Sequence, residues 1–280
     1  MSASSNPIQP RATDDDGVPP PRLSHLPASL TAPVMARPTS GKRPGVAALV
    51  IHGFTSSPAS MRPWAEFLLD AGYAVSLPVL PGHCTSWPDL ARTPWSAWRA
   101  AVRTAFDELQ RNHDRVYVCG LSMGGALALD LAARRSPAGL ALVNPALTFA
   151  NPTAHAARAL KLGIRSVAAI ANDIARPGQD EQAYARTPMA AVDQLGRLMR
   201  QTTATLPQVT APTIVFRSAI DHVVPETSVA VLQRRLGTPP SQRHIVRLEK
   251  SFHVATLDHD DERIFSETLR FFDAAAALRD

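Results

Sequence analysis

Val46-Ala47-Ala48-Leu49-Val50-Ile51 is an unbroken apolar run, the pattern of a parallel strand covered on both faces. Similar short runs rich in β-branched and aromatic residues recur at Tyr73–Leu77, Arg115–Cys119, Gly139–Val143, Thr213–Phe216 and His244–Leu248, and each predicts a strand. Between them the apolar positions move to helical spacing. A helix is predicted after Ser60 through Trp64, Phe67, Leu68 and Leu69, stopping near Gly72. Thr93-Pro94 opens another, whose stripe runs Trp95, Trp98, Val102, Ala105, Phe106, Leu109. Helix formers fill Ala126–Ala133, and a closing helix is predicted over Asp260–Ala277. Strand–helix alternation of this kind implies a doubly wound, mostly parallel α/β sheet with right-handed crossovers and helices on both faces.

The alternation lapses between Ala150 and Leu206. Two helices are predicted there without an intervening strand, over Thr153–Ala171 (Leu160, Ile164, Val167 and Ile170 on one face) and Pro188–Thr205 (Val192, Leu195, Leu198, Met199). Residues 151–205 are therefore expected to form a small helical cap, a lid over the strand ends, inserted into a core made of 44–150 and 206–280. Residues 1–43 are expected to be a mostly disordered tail. Nine of the 25 prolines fall within residues 1–44, beside Asp14-Asp15-Asp16 and few large apolar residues, too little to bury for ordered structure. From about Thr31 an extended lead-in is expected.

Composition narrows the class without changing this picture. A chain of 280 residues suits one large domain with an insertion. Its 45% hydrophobic and 19% charged residues are ordinary for a soluble enzyme. The net charge of +5 is spread without a run of five like charges, which argues against a nucleic-acid partner and permits at most a transient membrane contact. No apolar stretch approaches the roughly 18 residues of a transmembrane helix. The two cysteines, Cys84 and Cys119, give no sign of a disulfide scaffold. Met1–Pro7 lacks a basic start and apolar signal core, so a cytoplasmic location is expected.

The candidate chemistry centres on Gly120-Leu121-Ser122-Met123-Gly124. Such a Gly-x-Ser-x-Gly match arises by chance in about one chain in ten of this length, so its setting decides its value. Here it lies between a buried-strand pattern and a helix pattern, the turn that exposes a nucleophilic serine. A serine hydroxyl needs a base to remove its proton and an acid to orient that base. In the doubly wound hydrolase order these follow as acid and then histidine, each after a later strand. Asp221 follows the Thr213–Phe216 strand, whereas Glu249 shares the loop of the expected base. Of nine histidines, His253 occupies the loop between the last strand and the last helix, and His222 is a distant second. Met123 N–H and Phe54 N–H, the latter in His52-Gly53-Phe54 after the first strong strand, are the expected oxyanion donors. His52 is expected to be structural. The sequence has no His-Glu-x-x-His, paired-cysteine or phosphate-cradling motif, so neither metal nor cofactor is expected.

From about Val46 to Phe272 the chain resembles the α/β-hydrolase superfamily, and within it the bacterial monoacylglycerol lipases and related carboxylesterases. The matching stretches are His52-Gly53-Phe54-Thr55, Ser60-Met61-Arg62-Pro63, Gly120–Gly125, Asp221-His222-Val223-Val224-Pro225 and His253–Asp258. The resemblance supports Ser122, Asp221 and His253 as the triad and the Phe54 and Met123 amides as the oxyanion hole. It also implies that Glu181 binds the free hydroxyls of a glycerol head and that Ile170 is an apolar pocket residue of the cap. The alternative for Glu181 is a solvated surface charge. Cys84 departs from the glycine that relatives carry after Pro-Gly-His. The expected activity is hydrolysis of a monoacylglycerol or another single-chain ester. Broad carboxylesterase activity, acyl transfer to an alcohol, and a non-catalytic receptor built on the same pocket are the alternatives.

Overall fold

The computed structural model describes residues 31–38, 43–150, 157, 161 and 163–277. Most of the expected tail, and much of the first expected cap helix, lie outside them. Nine strands are described, β1 (Val34–Ala36), β2 (Val46–Ile51), β3 (Ala74–Leu77), β4 (Arg115–Leu121), β5 (Gly139–Val143), β6 (Ser166–Ala168), β7 (Arg186–Pro188), β8 (Thr213–Ser218) and β9 (Arg243–Leu248). The α-helices are α1 (Arg62–Asp70), α2 (Trp87–Arg92), α3 (Trp95–Asn112), α4 (Met123–Ala132), α5 (Met189–Thr205), α6 (Glu226–Arg235) and α7 (Asp261–Ala277).

Seven strands make one sheet in the order β1-β3-β2-β4-β5-β8-β9, parallel except for β1, which pairs antiparallel with β3. The lead-in expected from Thr31 thus includes an edge strand. Side chains alternate across a strand, and here the alternation feeds two cores. Ala47, Leu49 and Ile51 of β2 join Val116 and Val118 of β4 under α3, α4 and α5, with Trp98, Phe106, Leu127 and Leu198. Ala48 and Val50 join Tyr117 and Cys119 on the opposite face, under α1 and α7, with Trp64, Leu68 and Phe272. Both faces being covered explains why the central strands read as continuous apolar runs.

Where it is described, the first helix expected in the insertion departs from expectation. Ile164, Val167 and Ile170 do not share a helix face: Val167 lies in β6, which pairs antiparallel with β7 through Val167 and Thr187. Arg186 strengthens this hairpin by donating to the Ser166 hydroxyl and carbonyl. The second expected helix does form, as α5, but Ala191, Leu195, Leu198 and Met199 join the same core as α3 and α4. It is part of the helical layer. Two helices that the sequence did not announce, α2 and α6, complete the connections. Among the described residues no helix is long and apolar enough to cross a membrane.

Candidate active site

Ser122 sits between the last residue of β4 and the first of α4, at φ 56° and ψ −116°, a conformation that is costly for any residue with a Cβ. Three hydrogen bonds hold it there. Its N–H donates to the Val143 carbonyl at 3.0 Å, and its carbonyl accepts from the Ala126 and Ala146 amides, each at 3.1 Å. The flanking glycines are required by space. A Cβ on Gly120 would lie 2.4 Å from the Gly124 carbonyl oxygen, and one on Gly124 would lie 2.1 Å from that of Ile51. The helix start is therefore seated directly on the end of β2.

The loop after β2 lies against this turn, since a Cβ on Gly53 would be 3.6 Å from the Ser122 Cβ. Its shape is set by His52, which is fully buried. His52 Nε2 accepts from the Leu80 amide at 3.1 Å, so the ring proton resides on Nδ1 and donates to the Gly53 carbonyl at 2.9 Å. Burial depresses its pKa to about 4, partly offset by the Gly53 bond, which fits the structural role expected of it. Met123, as the first residue of α4, has no intrahelical acceptor for its N–H. Phe54 N–H makes no hydrogen bond among the described residues. Both amides expected to form an oxyanion hole are thus uncommitted.

Asp221 and His253 come together as the sequence predicts, on the loops after β8 and β9. The Asp221 carboxylate is buried, and its Oδ1 accepts from the Val223 and Val224 amides at 2.9 and 2.8 Å. Its Oδ2 accepts from His253 Nδ1 at 3.1 Å and from Arg217 Nη1 at 2.5 Å. Burial pushes the Asp221 carboxyl up, but the hydrogen bond and charge of His253, the Val224 amide and the Arg217 charge outweigh it and hold it below its ordinary value. With the His253 proton on Nδ1 facing the carboxylate, Nε2 is left as the free base. No hydrogen bond joins Ser122 Oγ to His253 Nε2 among the described contacts; such bonds often tighten only when substrate is bound. His222, the second candidate for base, is turned away: its Nδ1 meets Asp173 Oδ1 at 2.7 Å on an exposed side chain.

Glu181 is buried rather than a solvated cap charge. Its Oε1 accepts from the Asn172 amide at 2.9 Å, and its carbonyl accepts from the Ser56 and Ser57 hydroxyls. Burial raises its pKa, opposed by the Asn172 amide, by Ser56 and by the charge of His253. Ile170 is left 66% exposed. Among the described residues no three His, Cys, Asp or Glu side chains cluster as metal ligands. Sequence reasoning missed Arg217, Asn144 and Asp173. Asn144 Nδ2 donates to the His253 carbonyl and to Ser218 Oγ, tying the two loops to β5. Asp173 accepts from the His253 amide. A charge ending the apolar run Thr213–Phe216 was the visible sign of Arg217; nothing local marked the other two.

The family described as serine aminopeptidase, S33, matches residues 42–260. The chain belongs to that family. It is similar to proteins named for ester hydrolysis. A thermostable monoacylglycerol lipase from Bacillus sp. (strain H-257) is 39% identical over 238 residues, covering 85% of this chain and 94% of that protein. A carboxylesterase from Bacillus subtilis (strain 168) is 23% identical, covering 86% and 97%. The solved structure of a metagenome-derived lipolytic enzyme is 33% identical with a TM-score of 0.82, covering 87% of this chain and 98% of that one. The fold is the α/β-hydrolase fold expected from the sequence.

Proposed function

We propose that this protein hydrolyses carboxylic esters through an acyl-serine intermediate, with monoacylglycerols as preferred substrates. The observation that carries the reading is the Asp221–His253 pair at 3.1 Å, on the side of the sheet where Ser122 is held in its strained turn. His253 Nε2 takes the Ser122 proton as Oγ attacks the ester carbonyl, and Asp221 stabilises the imidazolium that forms. The Phe54 and Met123 amides receive the negative oxygen of the tetrahedral intermediate. Preset backbone donors do this without reorganising as the charge appears. His253 then returns the proton to the leaving alcohol, and a water activated by the same base releases the acid.

The preference for a glycerol ester is supported by two facts. The Bacillus lipase similar to this chain is named for that substrate. Glu181 is a buried carboxylate with one oxygen held by Asn172, close enough to His253 to feel its charge. A buried acceptor near the leaving alcohol favours substrates whose free hydroxyls can satisfy it.

The test compares a 1-monoacylglycerol with the methyl ester of the same acid, in wild type and Glu181→Ala. The expected result is a loss of about tenfold or more in kcat/KM on the glycerol ester and under about threefold on the methyl ester. Equal losses on both would remove the head-group role and leave a general carboxylesterase.

A further inference from the structure

Arg217 is the only charged residue of β8, and it is 3% exposed amid a buried strand. A guanidinium cannot shed its proton, and burying one is costly unless its donors are used and a counter-charge is close. Here four of its five donors are used. Nε donates to Glu226 Oε2 at 3.0 Å and Nη2 to the Val224 carbonyl at 2.8 Å. Nη1 donates to Asp221 Oδ2 at 2.5 Å, with Asn144 Oδ1 at 3.4 Å.

Asp221 Oδ2, which Nη1 holds, also accepts from His253 Nδ1, and Oδ1 lies at the same 3.1 Å from that nitrogen. Two nitrogens sharing one acceptor at these distances lie within about 6 Å of each other, close enough for their charges to interact strongly. During acylation His253 becomes an imidazolium. A lone carboxylate would favour that cation, whereas a carboxylate already paired with a permanent cation favours it less. Other charged groups face the pair from neighbouring elements. Glu226 binds Arg217 from α6 and is itself bound by Arg247 of β9. Asp173 reaches the His253 amide and the His222 ring, and Glu181 acts on His253 only through space.

We propose that Arg217 is a positioning residue of the triad: it fixes the Asp221 carboxylate and partly neutralises it, so that the pair holds the His253 imidazolium less tightly than a lone carboxylate would. The inference rests on the reading of Ser122, His253 and Asp221 given above. It also assigns a use to a buried charge that the fold alone does not require. A fixed carboxylate keeps the imidazole oriented, while the partial neutralisation makes the imidazolium a better proton donor to the leaving alcohol.

The experiment is the pH profile of kcat/KM on a monoacylglycerol, normalised to active sites titrated with a fluorophosphonate. Wild type, Arg217→Met, Arg217→Lys and Glu226→Gln are compared, with Ser122→Ala as control. Arg217→Met is expected to move the acid limb up by about one pH unit, because imidazolium forms more readily beside an uncompensated carboxylate. Arg217→Lys keeps the charge and the limb but lowers kcat, since an ammonium cannot reproduce the planar fork. Glu226→Gln, at an exposed side chain, leaves more of the Arg217 charge uncompensated and moves the limb down by a few tenths of a unit. If Arg217→Met does not fold, the other two variants decide. An acid limb that stays put in every folded variant, with losses matched by fewer titratable sites, would reduce Arg217 to a structural brace and overturn the proposal. Turnover surviving in Ser122→Ala would instead overturn the triad reading beneath it.

Discussion

Ser122 keeps a backbone conformation that costs on the order of 1–3 kcal/mol, and its neighbours pack closely enough to hold it there. Gly124 is the clearest case. Its missing Cβ would meet the Ile51 and His52 carbonyl oxygens at 2.1 and 2.8 Å, and neither oxygen moves unless α4 lifts from β2. Gly124→Ala is therefore expected to destabilise the protein by about 3 kcal/mol, the upper range for overpacking, and to abolish serine labelling. Urea midpoints check the first and a fluorophosphonate the second. Gly53→Ala, whose nearest contact would be 3.6 Å, is expected to change the midpoint far less. At this scale the sequence was informative where chemistry follows strand order: Ser122, Asp221 and His253 each lie just beyond a recognisable strand. Arg217, Asn144 and Asp173 escaped because their meaning comes from partners distant in sequence, as when Asn144 meets His253.

Among the described elements, the loop after β6 is hydrogen-bonded to the histidine's mount at several points. Asp258 accepts from the Ala175 and Arg176 amides on one side and from the Phe252 amide on the other. Arg176 pairs in bidentate fashion with Asp261 at the start of α7. Asp173 accepts from the His253 amide at 3.2 Å, and its carbonyl accepts from Val254 at 3.1 Å. The segment expected to belong to a lid thus helps to hold the base. Asp173→Ala is expected to lower kcat about tenfold with little change in KM, the scale of one lost charged hydrogen bond, and Asp173→Asn to restore part of it. A rise in KM at constant kcat would instead make this loop a substrate contact. The β6–β7 hairpin shows why Ile164, Val167 and Ile170 do not form one helix face. Ile164, Val167 and Ile170 recur every third residue, which satisfies a helix, but pairing with Arg186–Pro188 some twenty residues away decides the outcome. A local window of sequence does not contain that partner. The central strands needed none, because burial on both faces left a continuous apolar signature.

For the molecule as a whole, the two cores meet at the sheet, and the histidines beneath the β2 and β3 loops link its stability to pH. His52 and His83 are buried 5.0 Å apart, ring to ring. Burial depresses their pKa values to about 4 and about 3, with the charge of His52 adding to the shift of His83. His83 Nε2 is buried with no hydrogen-bond partner, so a proton there would create an unpaired cation. Below about pH 6.5 the unfolded chain therefore binds more protons than the fold. The stability these rings allow is complete above that pH and is lost as pH falls through about 4 for His52 and about 3 for His83. Each ring is expected to add a slope of up to about 1.4 kcal/mol per pH unit. His83→Phe, keeping an aromatic ring near Trp98, should about halve the loss measured by urea unfolding between pH 6.5 and 4. Stability that is flat over this range would contradict neutral buried rings. The convergence of Ser122, His253 and Asp221 at one edge of the sheet is the claim on which the function rests. Its most direct test is to react the folded protein with a fluorophosphonate, locate the adduct by peptide mass spectrometry, and compare rates with His253→Gln and Asp221→Asn. One adduct is expected, on Ser122, formed about a thousandfold or more slowly in His253→Gln and strongly slowed in Asp221→Asn. An adduct on another residue, or labelling as fast in both variants as in wild type, would contradict it.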